Sequence, residues 1–225
     1  MKNTEQKKNS ITEVVFILDR SGSMSGFESD TVGGFNATLA QQTEGEGEVL
    51  VTTVLFSTDM TFLHDRLPAR EVSPLTVADY RVGGCTALLD AVGSTVSHIG
   101  KIHKYARPED VPAHTVVIIT TDGLENASRL YSKGEVKRMI ARQSKRYGWE
   151  FIFLGANMDA VETAGEIGIR RERAVDFCQD SEGIAASYGV MARAVASVRR
   201  ERNPSELDGI LETARETHRR KENKK

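Results

Sequence analysis

Glu13 to Ser25 reads EVVFILDRSGSMS, an apolar run that ends on a carboxylate and passes straight into a turn of hydroxyls. Val14, Val15, Phe16, Ile17 and Leu18 have no polar residue between them. A strand built from them has to be covered on both faces, as the strands of a parallel α/β sheet are. The run stops at Asp19. Beyond it Asp19, Ser21 and Ser23 alternate through a loop in which Gly22 supplies backbone freedom, so three oxygen-bearing side chains can gather at the carboxyl end of a buried strand. Hard oxygen donors on a tight loop suit a small divalent cation.

Outward from this stretch the chain alternates. Phe27, Val32, Phe35 and Leu39 recur at spacings near three and four, which predicts a helix from about Ser25 to the turn at Gly45. Gly33 and Gly34 each weaken that helix by about 1 kcal/mol relative to alanine, so tertiary packing has to hold it. Val49 to Ser57 and Met60 to Leu67 read as strands, joined by a Thr58-Asp59 link short enough to force an antiparallel pair. Pro68 to Arg81 is irregular. After Gly83-Gly84-Cys85-Thr86 a helix follows on Leu88, Val92, Val96, Ile99 and Ile102, with Asp90 in the first turn, where the helix dipole favours a carboxylate. His114 to Thr121 is a second two-sided strand, and it too ends on a carboxylate, Asp122. A helix through Val136 and Ile140 closes near Gly148. A strand over Trp149 to Leu154, a short helix Ala160 to Glu166 behind Asp159, a weak strand Arg173 to Phe177 and a helix Gly183 to Val198 complete the pattern.

Strands alternating with helices imply an α/β fold: a doubly wound, mostly parallel six-stranded sheet with one antiparallel edge strand and helices on both faces. Residues 1–10 read as a flexible leader, 11–200 as one domain, and 201–225 as a charged tail. Ser205 to Arg215 has the spacing of an amphipathic helix, and the final KENKK reads as disordered. Ligands in such sheets sit beyond the carboxyl ends of the strands. Asp19 and Asp122 end the two most apolar strands, hence the most central ones, so their carboxylates should lie close together. At about 4 Å two like charges repel by roughly 4 kcal/mol at an effective dielectric near 20. A cation or a retained proton is needed between them.

With 225 residues, 39% of them hydrophobic, the chain can bury a full core. Its 30 basic and 32 acidic residues leave a net charge of −2, which gives no global attraction to nucleic acid or to anionic membrane. The first ten residues lack the apolar centre of a secretory signal, and nowhere do 18 apolar residues run together, so a cytoplasmic location is expected. Cys85 and Cys178 read as two reduced thiols, Cys85 as a small half-buried residue. The five histidines show no metal-binding spacing, and Glu125 and Asn126 behind Asp122 read as surface polarity first, with contact to a bound ion's water shell or to a partner as the alternative.

These residues together resemble the von Willebrand factor type A (vWA) domain with its metal-ion-dependent adhesion site (MIDAS). The family's Asp-x-Ser-x-Ser motif stands here as Asp19-Arg20-Ser21-Gly22-Ser23. Its threonine before a helix matches Thr86 in GGCTALLDAV, and its strand-terminal aspartate matches Asp122 in IITTDGLEN. The likeness spans about residues 11 to 200, and FIFLGANMDAVETAGEIGI is similar to the fifth strand and following helix of stand-alone bacterial and phage members. The resemblance implies a non-enzymatic binding module in which Ser21, Ser23 and Thr86 hold Mg2+ or Mn2+, with Ca2+ a further candidate. Asp19 and Asp122 would act directly or through water. Neutral hydroxyls leave such an ion electron-poor, so it can accept a carboxylate from outside. The implied partner is a protein offering Asp or Glu, with no nucleic acid and no membrane. Three alternatives stay open: a magnesium-dependent phosphohydrolase of the haloacid dehalogenase type, a structural protein with a vestigial ion site, and plain helix N-caps at the serines and Thr86. The first of these wants a second carboxylate two residues after the leading Asp, where Ser21 stands.

Overall fold

Both faces of the Val14–Leu18 run are covered. In the computed structural model, which describes residues 11–44, 47–200 and 204–222, the first strand β1 (Thr12–Asp19) is buried along its whole length. The two-residue period of a strand divides its side chains. Val14, Phe16 and Leu18 enter one core, and Val15 and Ile17 enter the other. Parallel to β1 on either side run β2 (Val49–Phe56) and β4 (His114–Thr121). Next come β5 (Glu150–Ala156) and β6 (Ala174–Phe177), also parallel, while β3 (Met60–Pro68) closes the other edge antiparallel to β2. The order is β3-β2-β1-β4-β5-β6, the mostly parallel six-stranded sheet with one antiparallel edge strand that the sequence implies.

Helices α1 (Glu28–Gln42), α5 (Ser181–Arg199) and α6 (Pro204–Glu222) cover the face that receives Phe16. The opposite face is covered by α2 (Leu88–Tyr105), α3 (Lys133–Tyr147) and α4 (Ala160–Glu166). Local chemistry sets the helix ends. Ser132 and Glu135 form a reciprocal capping box at the start of α3, and Gly148 closes it in the left-handed region at φ 69°. Asp159 caps α4 by accepting from Glu162 N. Among the described residues no helix is long and apolar enough to cross a membrane.

Three boundaries differ from the sequence reading. The first helix does not begin at Ser25: Gly22–Met24 form a 3-10 turn that buries Met24, Gly26 turns the chain at φ 92°, and α1 starts at Glu28, whose carboxylate accepts from Gly26 N at 2.9 Å. The last strand begins at Ala174, because Arg173 belongs to a 3-10 turn and its buried guanidinium engages Glu150 and Asp208. The charged segment from residue 201 contains α6, longer than the expected Ser205 to Arg215 helix; its Leu207 and Leu211 join the core, and Arg215 donates to the Glu172 and Ala174 carbonyls. The leader expected over 1–10, Gly45 of the expected turn and the last three residues of KENKK lie outside the described residues.

The two glycines of α1 have different reasons to be there. A Cβ on Gly34 would come within 2.3 Å of the Tyr188 ring of α5, whereas a Cβ on Gly33 would meet nothing within 4 Å. Gly34 is thus a point of close approach between α1 and α5, and this is the packing that offsets its poor helix propensity. Gly34→Ala should therefore destabilise the protein by about 1–3 kcal/mol through overpacking, and Gly33→Ala should stabilise it by about 0.5–1 kcal/mol. Denaturant midpoints of the two variants check this, and shifts of the same sign would contradict it.

Candidate metal centre

Parallel pairing of β1 with β4 puts their carboxyl ends side by side, so the two residues that stop the apolar runs, Asp19 and Asp122, meet at one edge of the sheet. Asp19 is 2% exposed. Its Oδ1 accepts from Ser21 N at 2.7 Å, an Asx-type turn that folds the Arg20–Ser23 loop back over the strand tip. Its Oδ2 accepts from Thr121 Oγ1 at 2.5 Å, and the buried Tyr80 hydroxyl donates to its main-chain carbonyl. Ser21 Oγ lies 3.1 Å from Ser23 Oγ, and Ser23 Oγ donates to Asp122 Oδ1 at 2.7 Å. Asp19, Ser21, Ser23 and Asp122 are thus linked through side-chain oxygens and one backbone amide.

Thr86 arrives on a separate loop that is stitched to the same turn. Gly22 N donates to the Gly84 carbonyl at 3.0 Å, and Gly83 N to the Arg20 carbonyl at 2.9 Å. Gly84 has φ 81°, and a Cβ there would lie 2.7 Å from Thr58 Oγ1, so the close approach of the loop to the β2–β3 turn needs glycine. The buried Thr86 hydroxyl packs against the residue after Asp122, since a Cβ on Gly123 would come within 2.5 Å of Thr86 Oγ1. Among the described residues no hydrogen bond joins that hydroxyl to the other four. Nor does Thr86 cap α2: the N-cap position is Ala87, and the carboxylate of Glu125 receives Leu89 N at 2.9 Å instead.

Four expectations need revision or addition. Glu125 and Asn126 are not mere surface polarity: Asn126 Oδ1 accepts from Thr86 N at 2.9 Å and Asn126 N donates back to the Thr86 carbonyl, while Glu125 binds α2 and its own loop. Asp90 accepts from the amides of Arg129, Leu130 and Tyr131, pinning the loop that follows Asp122. Cys85 is exposed rather than half-buried, its amide held by Thr58 Oγ1 while its thiol faces outward. Gln179 was not anticipated at all. It reaches in from the β6–α5 loop and donates Nε2 to Asp122 Oδ2. Thr121 could have been read from the Thr-Thr-Asp end of its strand, but no local signal marks Gln179, which is 57 residues away in sequence from Asp122.

The electrostatics of the cluster are those of a site short of positive charge. Burial pushes the Asp19 carboxyl up to about 6 from its ordinary 3.8, against the opposing hydrogen bonds from Thr121 and Ser21, and the charge of Asp122 adds to the rise. Burial likewise raises Asp122, against hydrogen bonds from Ser23 and Gln179. Among the described residues no lysine, arginine or histidine pairs with either carboxylate, and no group of three or more His, Cys, Asp or Glu is placed to hold a metal ion. Two desolvated carboxylates beside three hydroxyls form an all-oxygen donor set, which fits a hard divalent cation and does not fit a soft one.

Comparison with known proteins agrees with this fold. The family model described as "VWA domain containing CoxE-like protein" matches residues 2–160, well over half of the chain. No curated protein sequence matches. Among solved structures, a von Willebrand factor type A protein from Catenulispora acidiphila is 17% identical with a TM-score of 0.56, over 82% of this chain and 42% of that one. The proximal thread matrix protein 1 of the mussel byssus, solved with a zinc-occupied MIDAS motif, is 13% identical with a TM-score of 0.58, over 82% of this chain and 48% of that one. The vWF domain of the type V pili tip protein Mfa5 from Porphyromonas gingivalis is 10% identical with a TM-score of 0.56, over 85% of this chain and 97% of that one. At these identities the likeness speaks to the fold, and the chain spans less than half the length of the first such structures it matches. The family match and the strand order lead to one conclusion: this chain belongs to the VWA domain-containing CoxE-like family.

Proposed function

We propose that the chain is a metal-dependent protein-binding module. Ser21, Ser23 and Thr86 would hold a divalent cation, magnesium or manganese first and calcium as a further candidate, with Asp19 and Asp122 as direct or water-mediated ligands. The bound ion would act as a Lewis acid that accepts one oxygen from a partner protein's Asp or Glu. The observation that carries this reading is the pair of buried, unneutralised carboxylates linked through the Ser21 amide and two serine hydroxyls at the ends of two central strands. It is supported by membership of the vWA family and by the zinc-occupied motif of a structural neighbour. Neutral hydroxyls leave the ion's charge largely uncompensated, which favours an anionic partner over a neutral one.

The chain's own residues favour binding over turnover. Ser21 stands where a phosphohydrolase would need its acid or base, and a serine at ordinary acidity performs neither role at neutral pH. The strand tips instead present fixed acceptors and hydroxyls on a rigid support, which suits recognition.

Two outcomes follow. Magnesium at a hundred times its dissociation constant should stabilise the protein by about 2.7 kcal/mol. Asp122→Ala and Ser21→Ala should each lose most of that gain in a thermal melt, and an undiminished gain in both would place the ion elsewhere. Capture of a partner in magnesium, release by EDTA and failure of capture by Ser21→Ala would extend the test to binding.

The second outcome concerns pH. The folded-state value of Asp19 lies above its ordinary one, so in chelator its contribution to stability is full below about pH 4 and is lost as pH rises through about 6. The rise from 3.8 to about 6 corresponds to about 3 kcal/mol. His64, whose pKa burial lowers, works in the opposite sense, losing stability as pH falls, so the comparison with Asp19→Asn isolates the effect. Between pH 4 and 7 the metal-free wild type should lose stability relative to Asp19→Asn, and saturating magnesium should abolish the loss. Parallel pH profiles would contradict the burial of an unneutralised Asp19.

A further inference from the structure

Gln179 bridges the two walls of the site. Its Nε2 donates to Asp122 Oδ2 on the β4 side and, at 2.8 Å, to the Ser23 main-chain carbonyl on the β1 side. Its Oε1 accepts from Asn157 Nδ2. The carboxamide is thus held at both ends, and each anchor is itself fixed. Asn157, just past β5, sits in the left-handed region at φ 55°, which asparagine tolerates better than most residues. On the other side of Gln179, Asp180 caps α5 by accepting from Gly183 N at 2.7 Å, and the Cys178 carbonyl fills the space where a Gly183 Cβ would stand. Asp122 therefore has one oxygen on the Ser23 hydroxyl and the other on Gln179. Neutral N–H and O–H donors occupy both of its acceptor oxygens.

We propose that Gln179 is a further residue of the metal centre, a clasp whose amide group satisfies Asp122 Oδ2 and the Ser23 carbonyl in the metal-free protein and is displaced when a divalent cation draws on the Asp122 carboxylate. This rests on the metal reading of the site given above. The clasp sets metal affinity below what the five oxygen-bearing residues alone would give, because the ion has to break charge-assisted hydrogen bonds to reach Asp122. Gln179 stands on the β6–α5 loop, beyond residues 2–160 that the family model matches.

Titration of the full chain with Mn2+ by calorimetry tests this on wild type, Gln179→Ala, Asn157→Gly and, as a blank, Asp122→Ala. Gln179→Ala should bind Mn2+ about tenfold more tightly than wild type, equivalent to about 1.4 kcal/mol. Asn157→Gly keeps the left-handed backbone but frees Gln179 Oε1, and should shift affinity in the same direction by less. Without metal Gln179→Ala should melt below wild type, and with saturating Mn2+ the two should coincide. Equal or weaker Mn2+ affinity in Gln179→Ala, or a melting deficit of the same size with and without Mn2+, overturns the clasp and leaves the metal site standing. Failure of both wild type and Gln179→Ala to bind Mn2+ overturns the metal reading and the clasp with it.

Discussion

Two carboxylates that share a strand edge without a positive partner govern this molecule. Parallel hydrogen bonding holds β1 and β4 in a register that leaves no freedom to separate Asp19 from Asp122, and the apolar strands behind them hold both out of water. A fold can tolerate such a pair by protonation, by donors or by a cation, and here the donors are visible. Burial raises both acids, while Thr121, Ser21, Ser23 and Gln179 supply donors. Hydroxyl and amide donors reduce the penalty of burial but carry no net charge. The third remedy is the one that the all-oxygen set fits.

The same strand shows the alternative. At the other end of β1, Glu13 is fully buried yet lies against Arg66 Nε at 2.8 Å and the His103 imidazole, which in turn packs edge-on against Trp149. Removing one partner of a buried ion pair is costly, so that end is a closed structural unit. Arg66 reaches Glu13 from a bulged position on β3 at φ 52°. One strand therefore carries a neutralised acid at its amino end and an unneutralised one at its carboxyl end. In a parallel sheet only the carboxyl end faces the crevice where ligands bind. The contrast separates support from site.

Legibility in the sequence followed the range of the interactions. The Val14–Leu18 run and the Val116–Ile119 centre of the His114–Thr121 strand announced two-sided strands because burial on both faces leaves no polar positions there, and the short β2–β3 link forced the antiparallel edge. Asp19, Ser21 and Ser23 were visible as a cluster because the turn that gathers them is local. What could not be read came from other elements. Nothing near Gln179, Asn126 or Tyr80 hints that each bonds a residue tens of positions away. Nor does the sequence mark Glu13 as a buried, paired acid, since its partners are 53 and 90 residues on. The starts of α1 and of strand β6 were misjudged where a 3-10 turn intervened, since a single such turn leaves no periodicity of its own.

The account requires a cation at the meeting point of Asp19, Ser21, Ser23, Thr86 and Asp122. Anomalous diffraction at the manganese edge, from crystals grown with Mn2+, addresses that position without reference to affinity or partner. The predicted result is one strong peak within coordination distance of the Ser21 and Ser23 hydroxyls, beside Asp122. A peak bonded to other residues, or none while Ser21, Ser23 and Asp122 keep their mutual hydrogen bonds, would contradict it.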